Sequence, residues 1–301
     1  MSPTPRNSLY RFLPWLGPDG TLHPLKLLVL IGLFLPALWI AYALDQGLFG
    51  PRPINRAVHE IGLWTIRFLL LSLAITPLRL SLKWPDLILV RRMIGVAAFG
   101  YVALHLILYI ADEKYDLVKV ATEIVVRIYL TIGFVALLGL LVLAITSTDG
   151  MVRRLGARRW QRLHRLAYPV AILGSIHFFM QSKADVWEPM WMTGLFCWLM
   201  GYRLAQRIKR RRDGPTLPIL VLLTIGAAMF TAVGEAVYIV IQMKADILLV
   251  LQANLSTFAG VRPSWIVFAA GMAVTILAVA RQLVTGLLQA RRARILSSQL
   301  D

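Results

Sequence analysis

Apolar side chains fill long unbroken runs near 25–44, 61–80, 93–111, 124–146, 163–180, 189–205, 217–243 and 265–288, and charged side chains gather between them. A run of about 20 apolar residues spans a hydrocarbon core of about 30 Å. No water is available there, so the backbone must satisfy its own polar groups, and each run predicts an α-helix. The pattern as a whole predicts an all-α integral membrane protein with eight spans. Pro36 interrupts the first run and Pro77 lies near the end of the second.

Composition sharpens this picture. The chain is 58% hydrophobic and only 16% charged, against about 25% charged in soluble domains. Its net charge of +17 suggests nucleic acid at first sight. The placement of the basic residues excludes that reading. Arg6, Arg11 and Lys26 precede or open the first span, Arg79, Lys83, Arg91 and Arg92 follow the second, and Arg153, Arg154, Arg158, Arg159, Arg162 and Arg165 follow the fourth. Arg203, Arg207 and the run 209–212 follow the sixth, and Arg291, Arg292 and Arg294 follow the eighth. Intervening connections are mixed or acidic, as in 112–116, so the positive-inside rule places both termini in the cytoplasm, with lipid headgroups as the main basic contact. The first apolar run is too long for a cleavable signal. The single Cys197 allows no intrachain disulfide, no CxxCH attachment site and no thiolate cluster, so any haem is held non-covalently. The basic run ending in Asp213-Gly214-Pro215 predicts a boundary between residues 1–213, carrying six spans, and a two-span extension at 214–301.

Against this apolar background the five histidines stand out. At 1.5 Å per residue, His105 and His177 both sit about 20 Å from the cytoplasmic ends of the third and fifth spans. Ionisable groups inside a membrane are costly and mark function. Two histidines level on neighbouring helices are the arrangement that clamps a haem iron from both faces, and also one that simply bonds two helices. His164 lies thirteen residues before His177 among arginines. It reads either as a solvated interfacial residue or as the ligand of a second haem. On an ideal helix the two would be out of phase, although Pro169 between them can rotate the segment. His59 and His23 read as interfacial. Arg67 and Arg127 suit either a propionate partner or snorkelling to the interface. Glu235, inside the seventh span, reads as a proton or ion relay, or as an isolated carboxyl kept neutral by burial.

The run ITSTDGMVRRLGARRWQRLHRLAYPVAILGSIHFF (145–179) closely resembles the MsrQ (YedZ) family of haem-binding membrane subunits. LAITPLR (73–79) and RRMIGVAAFGYVALHLILY (91–109) match the same family in the same order, and the likeness extends loosely to GYRL (201–204). The resemblance implies a ferric-reductase-like six-helix bundle, with two further C-terminal helices here. It implies haem b, one or two groups, and flavin mononucleotide (FMN). It implies electron delivery from the quinol pool, or from a cytoplasmic flavin reductase, to a periplasmic molybdopterin methionine sulfoxide reductase that repairs oxidised proteins. The location implied is the bacterial inner membrane. The family's functional histidines fall on His105 in GYVALHL, His164 in RWQRLHRL and His177 in GSIHFF. The sulfoxide itself is expected to react on the partner, so no catalytic residue is expected in this chain. Its arginines suit haem propionates or a flavin phosphate. A stand-alone ferric reductase of the same architecture is one alternative, and a proton or metal transporter using His and Glu235 is another.

Overall fold

The computed structural model describes residues 15–16, 21–182, 185–208, 214–256 and 260–297. The expected topology signals Arg6, Arg11 and 209–213 lie outside the described residues, as do the side chains of Arg291, Arg292 and Arg294. Among the described residues the fold is all α: α1 (Pro24–Asp45), α2 (Pro53–Ser81), α3 (Ile88–Asp112), α4 (Leu117–Val126), α5 (Ile128–Ile145), α6 (Asp149–Leu155), α7 (Ala157–Leu163), α8 (Ala167–Ser182), α9 (Trp187–Ile208), α10 (Leu217–Met243), α11 (Ile247–Leu255) and α12 (Pro263–Ser297). Short 3₁₀ turns at Pro85–Leu87 and His164–Leu166 lead into α3 and α8.

Among the described residues six segments are long and apolar enough to cross a membrane: Pro24–Asp45, Pro53–Ser81, Pro85–Asp112, Ile128–Ile145, Leu217–Met243 and Pro263–Gln289. The other two expected spans fall on α8, with 16 residues, and on α9, whose 22 residues include Glu188, Arg203 and Arg207. α8 is short because the 3₁₀ turn at His164–Leu166 takes the residues that would have been its first turn. The fourth span also starts later than the hydrophobic run suggests. Arg127 is extended (φ −94°, ψ 104°) and divides that run into α4 and α5. α4 has its own start signal, because the Asp116 side chain accepts the Lys119 backbone N–H at 2.9 Å.

The chain forms two compact units. One comprises Met1–Ser72 with Ile88–Gln181, and the other Leu73–Leu87 with Ser182–Asp301. In the first unit, Tyr101 ties α3 to α1. Its hydroxyl donates to the Leu33 carbonyl at 2.7 Å and accepts the Ala37 N–H at 3.0 Å. These two backbone groups would ordinarily bond each other, but Pro36 between them disturbs the ladder and the phenol inserts. The Tyr101 ring meets Phe68 of α2 edge-on at 4.9 Å. On α5, the absence of a Cβ at Gly139 leaves the room that Val170 of α8 occupies.

The second unit is built on small residues. Gly194 of α9 lies against Thr231 and Val267, and Gly271 of α12 against Thr224 and Trp198. The Trp198 indole donates to the Thr224 hydroxyl at 3.1 Å. Arg203 donates to the Leu73 carbonyl at 2.6 Å, and Tyr202 and Ser81 hydroxyls meet at 3.1 Å.

Replacing Tyr101 with Phe is expected to leave the Leu33 carbonyl and Ala37 N–H without a partner, at about 1–3 kcal/mol. The check is the unfolding midpoint in detergent, which should fall relative to the wild type.

Candidate functional site

The third and fifth apolar runs place His105 on α3 and His177 on α8, and the first unit brings them together. Their ring centres are 6.4 Å apart and their planes perpendicular, at 90°. Each ring is anchored in the same way. His105 Nδ1 bonds the Val58 carbonyl of α2 at 2.8 Å, and His177 Nδ1 bonds the Tyr129 carbonyl of α5 at 2.8 Å. A carbonyl only accepts, so Nδ1 must carry the proton in both cases. That leaves Nε2 of each ring as the bare nitrogen, the form that ligates a metal.

Two glycines make this anchoring possible, and the hydrophobic pattern did not disclose either. Gly62 follows Val58 by one helical turn and Gly133 follows Tyr129 by one turn. A Cβ at Gly62 would stand 2.9 Å from His105 Nδ1, and one at Gly133 would stand 2.7 Å from His177 Nδ1. In an α-helix the carbonyl of residue i points along the helix toward residue i+4. A ring reaching that carbonyl from outside therefore crosses the space that the i+4 side chain would fill.

His164 is held separately. It lies in the 3₁₀ turn before α8, with Nε2 3.2 Å from the Thr146 hydroxyl. Its ring stacks on Trp160 at 3.9 Å, and the Trp160 indole donates to the Thr146 carbonyl at 2.8 Å. Burial, reinforced by the Arg91 cation, holds the His164 imidazole below its usual pKa. It is consequently neutral at pH 7 and stays so to lower pH than a free imidazole. Thr146 and Trp160 were missed from sequence, and only the aromatic residue amid arginines hinted at the second.

The remaining candidates separate. Arg67 lies over the Trp64 ring at 4.8 Å. Arg127 pairs with Glu123 at 3.0 Å and donates to the Tyr129 hydroxyl at 3.1 Å, while Tyr109 donates to Glu123 at 2.6 Å. His59 is exposed beside Val58, and His23 caps α1 with Nδ1 buried and unpartnered. Glu235 is not isolated, contrary to one of the two expectations, because it pairs with Arg262 at 2.7 Å.

The donor set decides which metal would fit. Among the described residues no group of three or more His, Cys, Asp or Glu could hold an ion. A pair of imidazoles suits an iron whose other four ligands would come from a macrocycle. A metal–imidazole bond is about 2.1 Å, so an ion on the axis between two rings separates their centres by a little over 6 Å. The observed spacing meets that requirement.

Comparisons with known proteins bear on the same region. The family described as ferric reductase like transmembrane component matches residues 61–175. That segment includes Gly62, His105, Gly133 and His164 and stops two residues before His177. The protein-methionine-sulfoxide reductase heme-binding subunit MsrQ of Rhodospirillum rubrum is 44% identical over 190 residues, covering 63% of this chain and 91% of that protein. The subunit of the same name from Azospira oryzae is 36% identical over 65% of this chain and 84% of its own length. That of Caulobacter vibrioides is 40% identical over 59% and 85% respectively. No solved structure matches.

Nitrogen-15 NMR of the metal-free protein should show His105 and His177 as Nδ1–H tautomers. In Gly133→Ala the added methyl group displaces the His177 ring, and its signal should shift toward the Nε2–H form while His105 stays unchanged.

Proposed function

This chain belongs to the MsrQ family of ferric-reductase-like membrane subunits, and from that premise we propose that it conducts electrons across a membrane through a b-type haem held by His105 and His177. The observation that carries the reading is the close pair of imidazoles, each fixed through Nδ1 to a neighbouring helix carbonyl. When bound, the haem supplies a one-electron redox centre. The residues do the rest. His105 and His177 would hold the haem iron through Nε2, and their Nδ1–carbonyl bonds increase imidazole basicity and fix ring orientation. The apolar α2, α3, α5 and α8 keep water from the site. Neutral His164, stacked on Trp160 near Arg91, is placed to serve as the entry-side ligand of a second haem.

The family names carry a partner with them. We assign the acceptor as a periplasmic molybdopterin methionine sulfoxide reductase, and the donor as the quinol pool or a cytoplasmic flavin reductase. FMN is the second cofactor of the proposal, with no residues assigned to it. The arginines after the second and fourth spans make the entry face cytoplasmic, and the membrane is the bacterial inner membrane. Residues 1–213 form the haem-binding part and 214–301 an extension of it. The extension is consistent with the share of this chain, 63%, that the Rhodospirillum rubrum subunit matches.

A reduced-minus-oxidised absorption spectrum of the purified protein tests the reading. A b-type signal is expected, lost in His105→Ala and in His177→Ala. His164→Ala should retain that signal and lower haem per protein by about half, the arithmetic for one of two axially ligated haems. Absence of any haem in the wild type sinks the proposal, and an unchanged haem content in His164→Ala removes the second haem.

A further inference from the structure

The second unit contains a buried acid–base cluster that the electron path does not use. Glu235 on α10 is 3% exposed, the only acidic residue of that helix. Its Oε1 accepts from Arg262 Nη2 at 2.7 Å. Its Oε2 is buried with no hydrogen-bond donor. Arg262 precedes α12 and is committed in several directions, donating to Asn254 Oδ1 from Nε at 3.1 Å and from Nη2 at 2.9 Å. Asn254, fully buried near the end of α11, donates to the Ala232 carbonyl of α10 at 3.0 Å. The Ser264 hydroxyl of α12 donates to the Asn254 carbonyl at 3.0 Å. One cation and one carboxylate thus join the end of α11, the start of α12 and the middle of α10.

The electrostatics leave one atom unsatisfied. A buried carboxylate oxygen with no donor is expensive. Arg262 neutralises only one side of the carboxyl group, and α11 brings the negative end of its dipole to Asn254. Among the described residues no donor bonds Oε2. α11 carries no titratable residue, α12 carries none before Arg281, and Met190 faces this level of α10 from α9. Tyr238 is the only other titratable group on α10, and Glu188 near the start of α9 is the closest acid in that helix's sequence. The Arg262 side chain is 24% exposed, so the protein does not fully enclose the pair.

We propose that Glu235 Oε2 is a reversible proton-binding site within the C-terminal helices, with Arg262 as its counter-charge. The step is a simple transfer: hydronium gives a proton to Oε2, water leaves, and the pair changes from neutral to singly positive. Arg262 then keeps its bonds to Asn254, while its bond to Glu235 weakens.

Infrared difference spectra of the full-length protein between acid and alkaline pH test this. A carboxylic-acid carbonyl band that titrates in the wild type and is absent in Glu235→Gln is expected, with the haem spectrum unchanged in both. Arg262→Gln should move the titration upward by about one to three pH units, the usual effect of removing a close opposite charge. Should Glu235→Gln fail to fold, Arg262→Lys serves instead, and a displaced titration supports the site. A band that persists in Glu235→Gln, or a titration indifferent to both changes at Arg262, overturns the proposal and leaves a fixed ion pair only.

Discussion

An imidazole inside an apolar helix bundle has two nitrogens to satisfy and almost nothing but helix carbonyls to satisfy them with. Those carbonyls already accept from the next turn of their own helix. They have a second lone pair, but the side chain of residue i+4 shields it. The first unit meets this constraint twice by placing glycine at that position, Gly62 beside His105 and Gly133 beside His177. Everything else at the site follows from it. The carbonyl fixes the proton on Nδ1, the fixed proton leaves Nε2 bare, and the centres of the two perpendicular rings stand 6.4 Å apart.

The same logic of satisfying polar groups without water runs through the rest of the molecule. Pro36 opens a gap in the α1 ladder, and Tyr101 closes it from α3. Thr146 offers its hydroxyl to His164 and its carbonyl to Trp160, so one residue at the end of α5 positions both rings. In the second unit the solution is ionic. Arg262 and Glu235 compensate each other where three helical segments meet, and Asn254 distributes the remaining donors. Buried pairs of this kind give little net stability when compared with apolar replacements, but removing one partner is costly. That favours a specifying role over a stabilising one.

The all-α membrane class and the prominence of His105 and His177 were legible in the sequence, because both depend on composition within a run. The run 217–243 became α10 with no change of bounds. Features that depend on a single backbone torsion were not legible. The break at Arg127 interrupts a continuous apolar pattern without proline or glycine. α11 is announced only by Asp246, whose side chain accepts the Leu248 N–H at 2.7 Å. The ideal-helix phase argument that separated His164 from His177 assumed one continuous helix, whereas the 3₁₀ turn at His164–Leu166 changes the geometry between them. The partners of Glu235, His105 and His177 are 27 or more residues away and belong to other elements, beyond the reach of local spacing.

Because the rings are held by main-chain atoms, the identities of Val58 and Tyr129 matter less than their places. Any side chain at those positions presents the same carbonyl. Glycine at 62 and 133 has no such freedom, since a single methyl group reaches the imidazole. The site is therefore encoded in four positions, two that carry chemistry and two that carry nothing. The empty pair constrains which helix faces can meet: α2 must turn Gly62 toward α3, and α5 must turn Gly133 toward α8. The cofactor geometry and the packing of the first unit are then one requirement, met by the same pair of missing side chains.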